Sequence, residues 1–200
     1  MKIICIGRNY SEHARELNNP VPSEPVFFLK PDTAILKDNE PFYLPDFSND
    51  VHHELELILR VSKAGKSIAP EFADKYIDQI SVGIDFTARD IQQRCKEKGL
   101  PWEKAKAFDG SAPIGKWLPF EVDKIYNFSL EVNGVQKQKG SSAEMIFSFR
   151  QIISYVSQFV TLKTGDIIYT GTPAGVGAVD IGDRLMAYLE GECLLNFEIK

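Results

Sequence analysis

The segment VHHELELILR, residues 51–60, places two glutamates at alternate positions, Glu54 and Glu56. In a β-strand, alternate side chains point to the same face, and Cα atoms two residues apart lie roughly 6.5–7 Å from each other. Two carboxylates at that spacing can converge on one point, where they repel unless a cation lies between them or one is protonated. The pair therefore indicates either a solvated strand face, the ordinary explanation for alternating polar residues, or a cation site.

A third carboxylate, Asp85, ends the apolar segment ISVGIDF, residues 80–86. The chain has only three histidines and three widely spaced cysteines, too few for a zinc site with several His or Cys ligands. An all-oxygen site points instead to a hard cation, Mg²⁺ or Mn²⁺. Asp85 is the best candidate for a third ligand, although a cap for the following helix explains it equally well when it is considered alone.

Two further groups could do chemistry beside such a site. His13 and Glu16 are three residues apart on a short helix predicted to begin at Ser11, so their side chains share a face and can touch. Lys106 lies in KAKAFDGSAPIG, and a lysine near an acidic metal site would offset charge and bind an anionic substrate. Most single lysines, however, are simply solvated.

The glycine-rich loop TGTPAGVG, residues 170–177, is not a phosphate-binding P-loop, because it lacks the GK[ST] sequence and no helix is predicted after it. Its backbone N–H groups and the Thr172 hydroxyl could hold a carboxylate. A plain tight turn between strands is the alternative.

Short strands and a few helices must position these residues. The predicted strands are 2–7, 25–31, 53–61 and 80–86, a hairpin turning at Asn133-Gly134, and closing strands in DIIYTG, RLMAYLEG and CLLNFEIK. The predicted helices run from Ser11 to about Leu17, from near Pro70, from Thr87 to Gly99, and from Ser148, where Gln151 completes a capping box. The core-facing residues of this last helix are predicted to be Ile152, Tyr155, Val156, Phe159 and Val160. The pattern predicts a β-rich α+β fold with mixed or antiparallel sheets.

Composition limits the class of protein. A chain of 200 residues with 44% hydrophobic residues suits one domain with a real core. A net charge of −5 without a long basic run argues against a nucleic-acid surface. No apolar stretch approaches a membrane span, and the N-terminus does not read as a signal peptide. The cysteines form no CxxC pair and fit a reducing compartment. We therefore expect a soluble cytoplasmic protein that binds neither nucleic acid nor membranes.

Seven segments, taken in order, resemble the fumarylacetoacetate hydrolase family, and more closely its small branch of acylpyruvases and oxaloacetate decarboxylases. They extend from residue 7 to residue 177 and read GRNYSEH, SEPVFFLKP, HHELEL, DFTARDIQ, KGLPWEKAKAFDG, MIFSFRQIISYVS and GDIIYTGTPAGVG. The resemblance implies mixed, rolled β-sheets of the type found in the C-terminal domain of that family. It also implies one catalytic domain over residues 1–200, a lid segment at about residues 8–20, and a homodimer.

The resemblance assigns roles to the candidate residues. It implies that Glu54, Glu56 and Asp85 hold one Mg²⁺ or Mn²⁺, and that His13 and Glu16 form a catalytic dyad on the lid. It makes Lys106 the active-site lysine. The residues implied to bind substrate are Arg8, Arg89, Gln92 and Thr172.

The implied substrate is a 2-oxo acid with a second carbonyl at C4, an acylpyruvate such as fumarylpyruvate or acetylpyruvate. Glu16 would orient His13, and His13 would take a proton from the water that attacks C4. The C3–C4 bond then breaks and leaves the enolate of pyruvate, whose charge a divalent cation and Lys106 would stabilise. Phe28 and the 100–115 segment are expected to contact the acyl end.

Two alternatives stay open. Loss of CO₂ from oxaloacetate gives the same enolate, and keto–enol exchange of oxaloacetate transfers a proton at the same carbon. An oxaloacetate decarboxylase or tautomerase could therefore use this site. A metal-stabilised binding protein without turnover is the alternative from another class. The pairing of His13 with Glu16 argues against it, because a binder does not need a base.

Overall fold

A computed structural model describes residues 1–16 and 21–200. The last residue of the predicted first helix, Leu17, lies outside these ranges, as do residues 18–20 of the predicted loop and lid segment. Within the described ranges, no helix combines the length and the apolar composition that crossing a bilayer requires.

The regular elements of the described residues are mostly strands. In chain order the strands are β1 Lys2–Gly7, β2 Val26–Pro31, β3 Ile35–Leu36, β4 Val51–His53, β5 Leu55–Val61, β6 Ile77–Ile84, β7 Thr87–Ala88, β8 Ala112–Pro113, β9 Leu118–Pro119, β10 Asn127–Val132, β11 Val135–Ser141, β12 Ile167–Tyr169, β13 Gly177–Ala178, β14 Arg184–Leu189 and β15 Glu192–Glu198. The α-helices are α1 Ser11–Glu16, α2 Arg89–Lys98, α3 Glu103–Lys106 and α4 Phe149–Phe159, and 3₁₀ turns cover Asp32–Ala34, Pro70–Tyr76 and Ser142–Glu144.

A six-stranded sheet with the order β2-β1-β12-β5-β6-β9 forms the centre of the molecule. It is mixed, because β1 and β12 are parallel while the other neighbours are antiparallel. A four-stranded antiparallel sheet, β11-β10-β14-β15, packs with it around the main core, and a three-stranded sheet joins β13, β4 and β7. The prediction of a β-rich α+β fold with mixed sheets is confirmed.

Strand β5 carries the alternation seen in the sequence. Leu55, Leu57 and Leu59 enter the main core, whereas Ile58 belongs to a second apolar cluster behind the sheet. Both faces are therefore covered, and the prediction of one continuous strand over 53–61 is wrong at Glu54. The Glu54 carbonyl accepts a hydrogen bond from the Asp85 backbone N–H at 2.8 Å, outside the regular ladder. The chain leaves the three-stranded sheet at this point and enters the six-stranded one.

The helix after Asp85 begins later than predicted. Thr87 and Ala88 form β7, which pairs with β4, so α2 starts at Arg89. The helix ends as predicted before Gly99, whose φ of 62° suits a glycine. The segment from Pro70 is a 3₁₀ helix with proline at its first turn.

The hairpin and α4 follow the sequence signals closely. Asn133 and Gly134 have φ values of 53° and 75°, as a type I′ turn requires. Both hydrogen bonds of the Ser148–Gln151 capping box are present. The predicted core face of α4 is partly wrong, because Ile153 is buried beside Ile152 and Val156, whereas Phe159 is 56% exposed at the last turn.

Candidate active site

Three buried carboxylates form the floor of the site. Glu54 lies at the break between β4 and β5, Glu56 lies within β5 opposite Gly83 of β6, and Asp85 follows the end of β6. The antiparallel pairing of β5 with β6 brings them together, so that one oxygen atom of each lies within 4.8 Å of the others. All three residues are buried, which excludes the solvated strand face.

Three cations surround two of these carboxylates. Lys106 Nζ lies 2.8 Å from Glu54 Oε2 and 2.8 Å from Asp85 Oδ2. Arg89 donates to Glu54 Oε1 at 2.5 Å, and Lys30 Nζ lies 2.7 Å from Asp85 Oδ1. Burial alone would raise the pKa of Glu54, but the charges of Lys106 and Arg89 hold it well below its usual range. Asp85 therefore faces lysines and does not cap α2.

The third carboxylate, Glu56, is in a different situation. It accepts a hydrogen bond from the Gly171 N–H at 2.6 Å, but no lysine or arginine of the described residues forms an ion pair with it. Burial and the nearby charge of Asp85 raise the pKa of Glu56 well above its usual range. The cluster thus contains one carboxylate without a compensating charge.

This arrangement fits a divalent cation. The ligand atoms are hard carboxylate oxygens. A cation between them would supply the positive partner that Glu56 does not have among the side chains. Asp85 Oδ1 also retains acceptor capacity. Although Lys30 Nζ is within ion-pair distance, that oxygen accepts no hydrogen bond of good geometry in the structure. The residues that would hold the ion are Glu54, Glu56 and Asp85.

The cover of the site is α1. His13 is buried, and its Nδ1 lies 3.2 Å from Glu16 Oε2. Glu16 also accepts the Gly175 N–H at 3.1 Å, which ties α1 to the glycine-rich loop. A carboxylate only accepts, so this contact suits the His13 tautomer that carries its proton on Nδ1, which would leave Nε2 as an acceptor.

Two N–H groups of the glycine-rich loop have partners within the protein. The N–H groups of Gly171 and Gly175 bind Glu56 and Glu16 of the protein itself, so they are not free for a substrate carboxylate. Thr172 is buried, and its hydroxyl accepts a hydrogen bond from Gln138 Nε2 at 2.8 Å. The Thr172 hydroxyl also donates to the Pro173 carbonyl at 3.4 Å, and the residue lines the cavity described below.

A cavity of about 40 Å³ lies between floor and cover. Every residue proposed for the site from the sequence lines it except Glu16, which supports His13 from behind. Arg89 and Gln92 line it together, joined by a hydrogen bond of 2.7 Å. Arg8 lines it with a φ of 60°, a backbone conformation that non-glycine residues rarely adopt and that often marks functional sites.

Sequence reasoning missed two lysines. Lys30 is fully buried within β2 and holds Asp85, and a lysine inside the apolar segment VFFLKP should have signalled a buried carboxylate partner. Lys96 lines the cavity from α2. Its position seven residues after Arg89 and four after Gln92 places all three on one helix face, which is a readable signal.

Comparison with known proteins gives the family. Residues 2–198 match the family model described as fumarylacetoacetate (FAA) hydrolase C-terminal. The chain is 43% identical to oxaloacetate tautomerase FAHD1, mitochondrial, of Bos taurus, over 99% of this chain and 91% of the relative. It is 42% identical to oxaloacetate tautomerase YcgM of Escherichia coli (strain K12), over 96% of this chain and 90% of the relative.

A solved structure extends the comparison to three dimensions. The fumarylpyruvate hydrolase of Pseudomonas aeruginosa, crystallised in complex with Mn²⁺ and pyruvate, superposes with a TM-score of 0.94 at 37% identity. The match covers 100% of this chain and 89% of that one. The resemblance noted from the sequence motifs is confirmed, and the relatives named here are enzymes. Their names fit both the hydrolase prediction and its oxaloacetate alternative, and favour the alternative. The chain belongs to the fumarylacetoacetate hydrolase family.

Proposed function

We propose that this chain is a divalent-metal-dependent oxaloacetate tautomerase, which exchanges the keto and enol forms of that acid. The observation that carries the proposal is the buried cluster of Glu54, Glu56 and Asp85, with one uncompensated charge, facing the base His13 across a small cavity. The names of two relatives with more than 40% identity support the choice of substrate.

The residues of the chain suit a proton transfer. Lys106 Nζ lies between Glu54 and Asp85, where it would attract the C1 carboxylate and C2 oxygen of a 2-oxo acid. His13 Nε2 would take a proton from C3 and return it to the C2 oxygen, while Glu16 holds the ring through Nδ1. A divalent cation, when bound, supplies Lewis acidity that stabilises negative charge on that oxygen.

The size of the cavity favours a small substrate. A volume of about 40 Å³ holds only a few water molecules. Keto–enol exchange only moves a proton between C3 and the C2 oxygen. Unlike hydrolysis, it does not require an attacking water molecule in the cavity.

Acylpyruvate hydrolysis is the second candidate function. It is favoured by the contact between His13 and Glu16, because a base oriented by a carboxylate can activate water. The superposition with a fumarylpyruvate hydrolase crystallised with Mn²⁺ and pyruvate also supports it. Decarboxylation of oxaloacetate would use the same stabilised enolate.

The identity of the metal ion and the cellular compartment are also part of the proposal. We infer that the ion is Mg²⁺ or Mn²⁺, supported by the all-carboxylate ligand set and by the Mn²⁺ of the hydrolase relative. The proposed compartment is the cytoplasm, although several relatives carry the word mitochondrial in their names.

We also propose that the protein is a homodimer. Strand β2 is an edge of the six-stranded sheet, and it exposes the apolar side chains of Val26 and Leu29. An exposed apolar edge favours pairing with another chain. Light scattering coupled to size exclusion would measure the mass, and a monomer at micromolar concentration would contradict this part of the proposal.

The experiment that tests the function follows three substrates in parallel. Enolic oxaloacetate, acetylpyruvate and fumarylpyruvate would each be added to protein with Mg²⁺, with and without EDTA. Ultraviolet absorbance would report loss of enol or substrate, and a coupled lactate dehydrogenase assay would report pyruvate.

The outcomes separate the candidates. EDTA-sensitive loss of the oxaloacetate enol without pyruvate is the expected result. Pyruvate released from oxaloacetate would instead indicate a decarboxylase, and a clearly higher kcat/KM for an acylpyruvate would indicate the hydrolase. No turnover of any substrate would contradict all three and favour the binding protein.

A further inference from the structure

The residue Lys96, to which neither the sequence motifs nor the proposed reaction gives a role, lies at the rim of the catalytic cavity. It belongs to the face of α2 that also presents Arg89 and Gln92 to this space. Its ammonium group lies 5.9 Å from the ring centroid of Trp102. The side chain is half-buried, so it is part of the wall of the cavity and not a freely solvated lysine.

Lys96 continues a row of side chains that starts at the floor. Lys106 Nζ lies 5.3 Å from the ring centroid of Phe28, and the rings of Phe28 and Trp102 are 6.0 Å apart. The ammonium group of Lys96 lies over the ring of Trp102. One wall of the cavity therefore has a lysine at each end and two aromatic rings between them.

The two lysines differ in their partners. Lys106 is bound to Glu54 and Asp85. Within residues 1–16 and 21–200, the side chain of Lys96 forms no ion pair and no hydrogen bond, and the same is true of Arg8. Both cations line the cavity without an ion-pair partner among the described residues.

The electrostatic consequence is visible at Lys96. Burial, followed by the nearby charges of Arg89 and Arg8, lowers the pKa of Lys96. Like charges held together in a partly buried place repel each other, and an anion placed among them would relieve this repulsion. The charge of Glu54 offsets part of this repulsion, but it is already paired with Lys106 and Arg89, so the rim can accept a further negative charge.

We propose that Lys96, together with Arg8, binds the distal carboxylate of a 2-oxo dicarboxylic acid and makes the site selective for dicarboxylates over monocarboxylates. The inference rests on the proposed function, since it assumes that the 2-oxo acid end lies at the floor beside Lys106. The substrate would then extend along Phe28 and Trp102, with its second carboxylate at the rim. Oxaloacetate and fumarylpyruvate both have this second charge, and acetylpyruvate does not.

The test compares ligands that differ only in the distal charge. The Mg²⁺-loaded protein would be titrated calorimetrically with 2-oxoglutarate and with 2-oxopentanoate, which share a five-carbon chain. Steady-state kinetics with oxaloacetate would give KM and kcat separately. The variant is Lys96→Met, which keeps an unbranched chain over Trp102 and removes the charge. Lys98→Met, an exposed lysine of the same helix, is the matched control, and Lys96→Arg tests rescue.

The expected result is a loss of discrimination. In Lys96→Met the affinity for 2-oxoglutarate should fall about tenfold, or the KM for oxaloacetate should rise about tenfold with kcat little changed. Binding of 2-oxopentanoate should stay within about twofold, Lys98→Met should resemble the wild type, and Lys96→Arg should recover the preference.

Two results would overturn the proposal. Equal weakening of both ligands would show that Lys96 acts on the fold or on the whole cavity. Unchanged preference in both measurements would show that it is a packing residue for Trp102. Because the calorimetric comparison needs no turnover, a protein that fails to tautomerise oxaloacetate can still pass it, so the two proposals fail separately.

Discussion

The floor and the cover of the site are built in opposite ways. The floor carboxylates sit on or beside β5 and β6, in the middle of a six-stranded sheet, and all are buried. The cover is α1, a helix of six residues held to the loop through the contact between Glu16 and Gly175. Helices this short are not stable on their own. The difference teaches that the carboxylates lie on a rigid sheet, whereas His13 lies on a short helix whose stability depends on its tertiary contacts.

A second contrast lies within the floor. Glu54 is paired with Lys106 and Arg89, and its pKa is lowered, whereas Glu56 has only a backbone N–H donor and its pKa is raised. Glu54 therefore belongs to an ion-pair network built from the protein's own side chains. Glu56 is the carboxylate that gains most from a metal.

The largest effect is expected at Glu56. Glu56→Gln should abolish Mg²⁺ binding and reduce turnover to the level of EDTA-treated wild type, at least about a thousandfold, because a neutral amide is a poor ligand for a hard cation. Calorimetric titration with Mg²⁺ and the enol assay would measure both. Retained metal affinity would mean that Glu56 is not a ligand.

The second-largest effect on turnover is expected at His13, the proposed base on the cover. His13→Ala should lower turnover by about 10²–10⁴-fold, the usual contribution of a general base, while Mg²⁺ affinity stays within about twofold. The change in turnover tests the role of His13 in the cover. The unchanged Mg²⁺ affinity tests whether the metal site of the floor is independent of the cover. Full activity in this variant would refute the proposed role of His13.

A substitution at Lys30 would test how much the buried ion pairs of the floor stabilise the fold. Lys30→Met removes one of the two cations that hold Asp85 and should lower the free energy of unfolding by about 3 kcal/mol, since breaking a buried ion pair leaves a charge uncompensated. Urea denaturation of the metal-free protein would measure it. Lys37→Met, a lysine for which the structure records no ion pair in the described part of the chain, is the control and should change stability by less than about 0.5 kcal/mol.

A milder change should loosen only the cover. Glu16→Gln weakens the acceptor that holds both His13 and the Gly175 N–H, and about a tenfold loss of kcat/KM is expected. Hydrogen exchange should speed up in α1 and stay unchanged in β5. Faster exchange in β5 as well would show that floor and cover are one cooperative unit.

The smallest effect concerns the pH dependence of stability without metal. The raised pKa of Glu56 means that folding favours its protonated form, a contribution present below the usual pKa of glutamate and lost as pH rises through the raised value. Metal-free Glu56→Gln should therefore gain stability relative to wild type as pH rises through that window. Thermal melts with EDTA across this range would measure the difference, and a constant difference would contradict the assigned direction.

Local sequence signals predicted much of the fold. The alternation of Leu55, Leu57 and Leu59, the Asn133-Gly134 turn and the Ser148 capping box each depend on residues close in the chain, and each is present. The motifs also named most of the polar residues that line the cavity, Lys96 excepted, and the catalytic roles of these residues remain predictions.

Contacts between distant segments could not be read in this way. The break at Glu54 and the strand at Thr87 result from pairing between segments of different sheets. The use of loop N–H groups by Glu56 and Glu16 depends on the approach of a loop more than 100 residues away in the chain.

The sequence by itself thus determined which elements form and which residue types are available for chemistry, since periodicity, turns and caps are local properties of the chain. Only the tertiary structure decided the charge balance of the site. Lys30 reaches Asp85 across 55 positions of sequence and Lys106 reaches Glu54 across 52. The pairing of a buried charge depends on which side chains the packed sheets bring within a few ångströms, and no local pattern contains that information.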